Sequence, residues 1–197
     1  MPSNVKNLFK ELRAGLAATL FLAVLVCALY PAVVWLLGQG LFPEKASGSL
    51  LVSGGEVLGS SLLAQDFGGA AYFHPRPSAA GTGYDAAQSG GTNLGPLSRK
   101  LLDQVRGRVE AYRRENELLT GALVPADAVT SSASGLDPHI SVANALIQAR
   151  RVAKTRGMNI EIIVKRIKSH TEGRTLGILG EPRVNVLLLN LDLDGRL

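Results

Sequence analysis

The sequence predicts an α+β extracytoplasmic domain that is anchored to a membrane by one N-terminal transmembrane helix. Three observations predict this fold class. A long apolar run without charge lies near the N-terminus. Paired apolar stretches around a glycine turn, and one late apolar run, have the pattern of β-strands. The segments between them space apolar residues as helices do, and this mixture is typical of the α+β class.

The apolar run at residues 14–37 contains no charged side chain. As a helix rising about 1.5 Å per residue it would reach about 36 Å, and the hydrocarbon core of a bilayer is about 30 Å thick. A cleaved signal peptide has a shorter apolar region that ends in small residues. Here Tyr30, Pro31 and Trp35 stand near the end of the run. We therefore predict an uncleaved transmembrane helix.

The charges that flank this run predict its orientation. Three basic residues precede the run and one follows it within the next twenty residues: Lys6, Lys10 and Arg13 against Lys45. By the positive-inside rule, residues 1–13 lie in the cytoplasm and residues 38–197 form an extracytoplasmic domain. Basic and acidic residues nearly balance in that domain, which argues against nucleic acid as a partner.

The domain is predicted to begin with a β-hairpin. At residues 48–65, two apolar stretches flank Ser53, Gly54 and Gly55, and glycine supplies the positive φ that a tight turn needs. Residues 66–96 then hold seven glycines and three prolines but also four aromatic residues. Disordered segments are poor in aromatic residues. We therefore predict a long, ordered loop that lies against the domain or against a partner.

Three helices are predicted after this loop. Pro96 suits the first turn of a helix that runs to about residue 119. Asp137 and Pro138 are predicted to cap and start a second helix, which ends at Gly157. Asn159 is a candidate cap for the third helix. The apolar run that follows Pro182 predicts a central strand buried on both faces.

The fragment "SSASGLDPHIS" at residues 131–141 contains the side-chain types of a hydrolase triad. It lacks the G-x-S-x-G pattern of a nucleophile elbow. If Asp137 caps a helix, His139 falls in the first turn and cannot easily face it. We therefore interpret the fragment as a helix entry. The three histidines, His74, His139 and His170, are scattered, and we expect no metal site.

Two other clusters have simpler interpretations. "SGGTNLG" at residues 89–95 is only loosely similar to a phosphate cradle, and a plain turn is the alternative. Four basic residues lie near the end of the second predicted helix: Arg150, Arg151, Lys154 and Arg156. Part of this cluster should be solvated, and at least one member is expected to face a carboxylate or a partner.

Four blocks of the sequence resemble a known family. "YFHPRPSAAGTGYDAAQSGGTNLGP", "VTSSASGLDPHIS", "RVAKTRG" and "LGEPRVNVLLLNLDLDG" are similar, in that order, to segments of the C subunit of the Kdp-type potassium-transporting P-type ATPase of bacteria. The resemblance runs from the membrane helix to Asp194. It implies a non-catalytic accessory subunit of a high-affinity ATP-driven potassium uptake complex in the cell inner membrane. The alternative is an independent membrane-anchored extracytoplasmic hydrolase or binding protein.

The resemblance also implies partners and cofactors. A channel-like A subunit would bind potassium, a B subunit would hydrolyse ATP, and a small F subunit would join them, with this chain tying A to B. A role as a catalytic chaperone that raises the ATP affinity of the B subunit is implied as well, with Ser89, Gly90 and Gly91 as nucleotide candidates. The predicted topology places these residues outside the cytoplasm. We therefore expect no cofactor to bind this chain directly.

The loop at residues 66–96 is our predicted contact with the potassium-binding subunit. It combines aromatic residues with arginine, the side chains most often found at interface hot spots. The candidates are Tyr72, Phe73, Arg76, Tyr84 and Asn93. The alternative is that the aromatic residues hold the loop against its own domain.

Overall fold

The computed structural model describes residues 3–197, with side chains from Asn7 onward. Lys6, one of the charges used to predict the orientation, lies outside the described side chains. The chain forms two compact units that divide between Ser49 and Leu50.

The first unit is almost entirely helical. Helix α1 spans Ser3–Ala23, a π-helical turn spans Val24–Leu29, helix α2 spans Tyr30–Leu41 and the short helix α3 spans Pro43–Ala46. The most apolar window of 18 residues within Asn7–Leu41 has a mean hydropathy of 2.6, and none of that window is buried within the chain. This helical stretch is long and apolar enough to cross a membrane.

The π-helical turn lies directly before Pro31. Proline has no N–H to donate, and its ring crowds the carbonyl group four residues earlier. At the end of the turn, the N–H of Tyr30 donates to the carbonyl oxygen of Leu25, five residues earlier. The wider turn makes room for the proline ring, so the helix continues through Pro31 without ending.

The second unit contains two small antiparallel sheets. Strands β1 (Leu50–Ser53) and β2 (Glu56–Ser60) form the first sheet. The turn between them is Gly54 and Gly55, which both have positive φ, so the predicted hairpin is confirmed.

The second sheet has three strands in the order β3-β5-β4. They are β3 (His139–Ser141), β4 (Thr171–Glu172) and β5 (Arg183–Asn185). Val184 in the central strand faces Ile140 on one side and Thr171 on the other.

Four longer helices complete the unit: α4 (Arg99–Glu115), α5 (Val142–Arg156), α6 (Ile160–Ser169) and α7 (Val186–Leu193). Two predicted helix ends are confirmed. Helix α5 stops at Gly157, which adopts the left-handed conformation with φ 64°. The side chain of Asn159 caps α6 by accepting from the N–H of Glu161 at 2.9 Å.

The predicted start of α4 at Pro96 is wrong. The helix begins at Arg99, because the hydroxyl of Ser98 accepts from the N–H of Leu101 and caps it. Its last residue is Glu115, earlier than predicted, and Asn116 follows at the C-cap.

The prediction that Asp137 and Pro138 cap and start a helix is also wrong. Residues from His139 onward first pair with β5, and α5 begins only at Val142. The cap is Ser141, whose hydroxyl accepts from the N–H of Asn144 at 3.1 Å. Asp137 instead closes a local turn by accepting from the N–H of His139 at 3.0 Å. An aspartate side chain accepts from a nearby backbone N–H both when it caps a helix and when it closes a turn, so the sequence signal is the same for the two structures.

The late apolar run is a strand for only three residues, so the predicted long strand is wrong in extent. Strand β5 ends at Asn185, whose side chain accepts from the N–H of Leu188 at 3.1 Å and so caps α7. The apolar residues beyond it form a helix that is buried nearly all round. Periodicity cannot distinguish such a helix from a buried strand.

The core of the second unit lies between its three-stranded sheet and helices α5, α6 and α7. Eleven buried residues form it: Phe73, Ile140, Ala145, Ala149, Val152, Ala153, Ile163, Ile167, Val184, Val186 and Leu189. Phe73 comes from the long loop at residues 66–96, so the loop contributes to the core.

Candidate functional site

The long loop at residues 66–96, called the strap below, contains no helix or strand. Buried side chains hold it in place. Asn190 of α7 pairs with the backbone of Phe73: its Oδ1 accepts from the N–H at 2.9 Å, and its Nδ2 donates to the carbonyl oxygen at 2.9 Å. The side-chain amide of Asn190 thus makes the two hydrogen bonds that a neighbouring β-strand would otherwise make with Phe73.

Gln148 of α5 does the same for the next residue of the strap. Its Oε1 accepts from the N–H of His74 at 2.8 Å, and its Nε2 donates to the carbonyl oxygen of His74 at 3.1 Å. Both amide side chains, of Gln148 and Asn190, are almost fully buried. Buried backbone groups need such partners, so this pairing fixes the path of the strap through the core.

Arg151 of α5 ties the strap from a third direction. Its guanidinium donates to the carbonyl oxygens of Ala70 at 2.8 Å and Tyr72 at 2.9 Å. It also donates to Asn116 and lies 3.6 Å from the carboxylate of Glu115. Burial lowers the pKa of Arg151, while the charge of Glu115 opposes this effect. The prediction that one cation of the basic cluster faces a carboxylate is confirmed.

A cleft of ≈ 190 Å³ lies between the strap, α4 and α5. At its wall, Nδ1 of His74 lies 2.8 Å from Oε1 of Glu115, and Nε2 lies 2.9 Å from the carbonyl oxygen of Gly69. Both partners are hydrogen-bond acceptors, so each ring nitrogen of His74 has an acceptor within hydrogen-bond distance. The hydrogen bond with His74 holds the pKa of Glu115 below its ordinary value, although partial burial opposes it.

Tyr84 closes another side of this cleft. Its hydroxyl donates to the carbonyl oxygen of Arg76 at 3.0 Å. Burial and the negative charge of Asp66 raise the pKa of Tyr84 to about 12. The phenol of Tyr84 therefore stays neutral and remains a donor. Its hydrogen bond to Arg76 joins two parts of the strap.

A chain of alternating basic and acidic side chains crosses the three-stranded sheet. Arg76 lies 3.1 Å from Asp137, and Asp137 lies 3.2 Å from Nδ1 of His139. Nε2 of His139 is 3.7 Å from Glu172, which pairs with Arg183 at 2.9 Å. Burial alone would raise the pKa of Asp137, but hydrogen bonds from His139 and Arg76 hold it below the ordinary value.

This cluster corrects one step of the sequence reasoning. His139 does face Asp137, because both belong to a turn and strand rather than to a helix. Its second ring nitrogen faces the carboxylate of Glu172, whereas a triad requires a serine hydroxyl there. The arrangement is a network of basic and acidic side chains, and its geometry does not match that of a Ser-His-Asp triad.

The nucleotide candidates lie where the strap meets the turn at residues 132–135. The hydroxyl of Ser89 and the N–H of Gly90 both donate to the carbonyl oxygen of Ser134, at 3.0 Å and 2.9 Å. A Cβ on Gly91 would come within 2.9 Å of the carbonyl oxygen of Ala133. The glycines permit close backbone contact, and two of the possible phosphate donors, the hydroxyl of Ser89 and the N–H of Gly90, already have a protein acceptor.

Within the described residues, no group of three or more histidine, cysteine or acidic side chains could hold a metal ion. Cys27, which lies in the π-helical turn of the first unit, is a free and exposed thiol.

Comparison with known proteins identifies the family. The family profile described as "KdpC: K+-transporting ATPase, c chain" matches residues 12–195. The chain belongs to the KdpC family. The resemblance predicted from the four sequence blocks is therefore confirmed.

Several proteins named potassium-transporting ATPase KdpC subunit are similar to this KdpC chain over nearly its whole length. The protein of Rhodospirillum rubrum is 53% identical over 189 residues, covering 96% of this chain and 97% of that protein. The protein of Koribacter versatilis is 50% identical over 186 residues, covering 94% and 95%. The protein of Myxococcus xanthus is 52% identical over 190 residues, covering 96% and 90%.

The five interface candidates differ in their burial and in their contacts. Phe73 is 0% exposed and belongs to the core, so its prediction as an interface residue is wrong. Tyr72 stacks under the guanidinium of Arg156, and its hydroxyl lies 3.3 Å from Asp194. Arg76 and Tyr84 are partly buried and bonded within the strap and its neighbours, as described above. Asn93 is exposed, with φ 50°.

The side chains that anchor the strap, Gln148 and Asn190, were missed in the sequence. A signal was present for Asn190, which is a lone amide inside an apolar run. A buried amide must find partners, so such a residue indicates a nearby backbone segment with unpaired groups. Nothing local to Gln148 identifies His74, which lies 74 residues earlier, as its partner.

Proposed function

We propose that the chain is a non-catalytic accessory subunit of a high-affinity ATP-driven potassium uptake complex. In this proposal one transmembrane helix anchors it in the cell inner membrane. The second unit lies on the extracytoplasmic side and helps to hold the channel-like A subunit and the ATP-hydrolysing B subunit together. The observation that carries the proposal is the match to the K+-transporting ATPase c chain over residues 12–195.

The first unit supports the anchoring role. The helical stretch Asn7–Leu41 leaves its apolar side chains exposed within the chain, so they need lipid or another membrane subunit to cover them. Lys10 and Arg13 precede the apolar run and Lys45 follows it, which favours a cytoplasmic N-terminus. The domain boundaries of this proposal remain those of the sequence: residues 1–13, 14–37 and 38–197.

The second unit supports a non-catalytic role. His139, the histidine of the serine-containing fragment, is paired with Asp137 and Glu172. These contacts stabilise the strap and the sheet. The alternative of an independent extracytoplasmic hydrolase is disfavoured because His139 has a carboxylate where a triad needs a nucleophilic serine.

Any effect on ATP affinity is proposed to be indirect. The B subunit handles ATP on the cytoplasmic side, whereas the proposed topology places Ser89, Gly90 and Gly91 outside. Coupling would then pass through the membrane helices, as a difference in how this chain binds two states of the B subunit. Potassium would likewise be bound by the A subunit, and the exposed part of the strap around Asn93 is the proposed contact with it.

Co-purification tests this function. The chain is produced together with the other subunits, and the complex is captured through an affinity tag on the ATP-hydrolysing subunit. We expect the chain to be retained in a fixed ratio to the other subunits. A captured complex that never contains the chain would contradict the accessory role.

A further inference from the structure

The carbonyl oxygen of Val26, in the middle of the apolar span, lacks the hydrogen-bond donors that helix geometry normally provides. In an α-helix its donor would be the N–H of Tyr30, four residues later. That N–H donates to the carbonyl oxygen of Leu25 at the end of the π-helical turn. At the wider π-helical spacing the donor would belong to Pro31, which has no N–H. The helix therefore leaves this oxygen without either donor.

No nearer group of the chain replaces these donors. Leu29 belongs to the π-helical turn, in which an N–H donates five residues back and so passes over Val26. Among the side chains that the structure describes in the span, Thr19 donates to a helix carbonyl, and its acceptor is Gly15 at 2.8 Å. The thiol of Cys27 is only a weak donor. A donor from outside the chain is therefore needed.

The depth of this oxygen disfavours lipid as its surroundings. At about 1.5 Å per residue, Val26 lies about 18 Å from Ala14 and about 17 Å from Leu37, which places it near the centre of a bilayer that the span crosses. Lipid tails have no donors, so an unpaired backbone carbonyl is strongly disfavoured at this depth. Proline within a membrane helix is tolerated when neighbouring helices, hydroxyl side chains or ordered waters bind the freed groups.

The residues around this oxygen favour a neighbouring helix over water. Ala23, Cys27 and Ala28 are small, and small residues let the backbones of membrane helices approach closely. An ordered water needs two to four polar partners, but residues 22–29 contain no charged, amide or hydroxyl side chain. A parallel second copy of this chain would present the same apolar residues at this depth.

We propose that the carbonyl oxygen of Val26 accepts a hydrogen bond from a hydroxyl or amide side chain on a membrane helix of another subunit of the potassium-transporting ATPase. The π-helical turn then has two roles. It accommodates Pro31, and it presents a backbone acceptor at a fixed depth, so that the bond sets the register of the two helices. This inference rests on the proposed function, since it requires that the chain is assembled with such subunits.

Solid-state NMR of the Val26 carbonyl carbon tests the proposal. The chain has a single cysteine, Cys27, so labelling with carbonyl-¹³C valine and ¹⁵N cysteine produces one directly bonded ¹³C–¹⁵N pair, between Val26 and Cys27. The labelled full-length chain is measured in lipid bilayers, first alone and then assembled with the other subunits, which carry no label. Because hydrogen bonding moves a carbonyl ¹³C signal downfield, we expect a downfield shift on assembly.

Three results would overturn the proposal. The first is a signal that does not change in the assembled complex. The second is a signal that is already shifted in the chain alone, which indicates a bond within the chain or with a second copy. The third is a shifted signal that receives magnetisation from mobile water protons. Failure of the chain to be retained by the tagged ATP-hydrolysing subunit would instead contradict the proposed function.

Pro31→Ala supplies the second measurement, because alanine restores the missing N–H and is a good helix former. When the variant competes with the unsubstituted chain for the tagged complex, its retention should fall roughly three- to tenfold, the effect of losing one hydrogen bond between membrane helices. Pro43→Ala is the matched control, since Pro43 begins α3 beyond the span. The control should be retained like the unsubstituted chain. Equal retention of the two alanine variants would overturn the proposal.

Discussion

Asn190 pairs its side-chain amide with both backbone polar groups of Phe73, at 2.9 Å in each direction. The two residues are 117 positions apart, and both are fully buried. The two hydrogen bonds therefore join α7 to the first third of the strap. Because Phe73 also fills the core, the path of the strap and the packing of the core depend on the same contact.

Asn190→Leu should strongly destabilise the protein. The change keeps the size of the side chain but leaves the N–H and the carbonyl oxygen of Phe73 unpaired in the core. Each buried unpaired group costs about 1–3 kcal/mol. Chemical unfolding of the full-length chain in detergent measures the loss. A loss below about 0.5 kcal/mol would show that the strap is held by other contacts.

The ion pair of His74 with Glu115 should make stability depend on acid pH. The pKa of Glu115 is lowered in the folded state, so its stabilising contribution is present above the ordinary glutamate pKa of about 4.3. That contribution is lost as the pH falls through the lowered folded-state value. The melting temperature should therefore fall below about pH 4 and fall less steeply in Glu115→Gln.

The matched control for this experiment is Glu110→Gln, an exposed glutamate on the same helix. Its pH profile should follow that of the unsubstituted chain. Identical profiles for the two glutamine variants between pH 3 and 7 would show that the pair with His74 contributes nothing measurable.

Ser141, and not Asp137, should behave as the cap of α5. Ser141→Ala should cost about 0.5–2 kcal/mol of unfolding free energy through loss of the cap. Ser141→Asn should restore most of it. Ser141→Asp should not, although aspartate is ordinarily a good cap, because the hydroxyl of Ser141 already donates to the carboxylate of Asp127 at 2.9 Å. If the asparagine and aspartate variants are equally stable, repulsion by Asp127 is absent.

Thiol labelling tests the proposed topology. In a chain carrying Cys27→Ser, Leu97→Cys should react with a membrane-impermeant maleimide in intact cells, since position 97 is 93% exposed and lies in the extracytoplasmic unit by our proposal. Leu8→Cys, before the span, should react only after the membrane is opened. The reverse pattern would invert the orientation and remove the argument that any effect of this chain on the ATP affinity of the B subunit is indirect.

Much of the fold was predictable because the decisive signals are local. The hairpin at Gly54 and Gly55, the stop at Gly157 and the cap at Asn159 each depend on residues within one turn of the chain. Errors arose where two structures share one local signal. Asp137 forms a capping bond in a turn, and the apolar residues after Asn185 suit either a strand or a buried helix.

The candidate site was less predictable, because its contacts join distant parts of the chain. The aromatic residues of the strap were recognised, but burial divides them: Phe73 belongs to the core while Tyr72 lies at its edge. A sequence reports that an aromatic residue is present and not which surface covers it. The partners of the strap, Gln148 and Asn190, become evident only once the fold brings them together.

The central claim is that this chain assists a potassium-transporting ATPase without catalysing a reaction itself. The most direct measurement compares potassium-stimulated ATP hydrolysis by the purified complex, by the same complex prepared without this chain, and by this chain alone. We predict full activity for the first, a large loss for the second and none for the third. Hydrolysis by the chain alone, or unchanged potassium-stimulated activity and ATP affinity in its absence, would contradict the account.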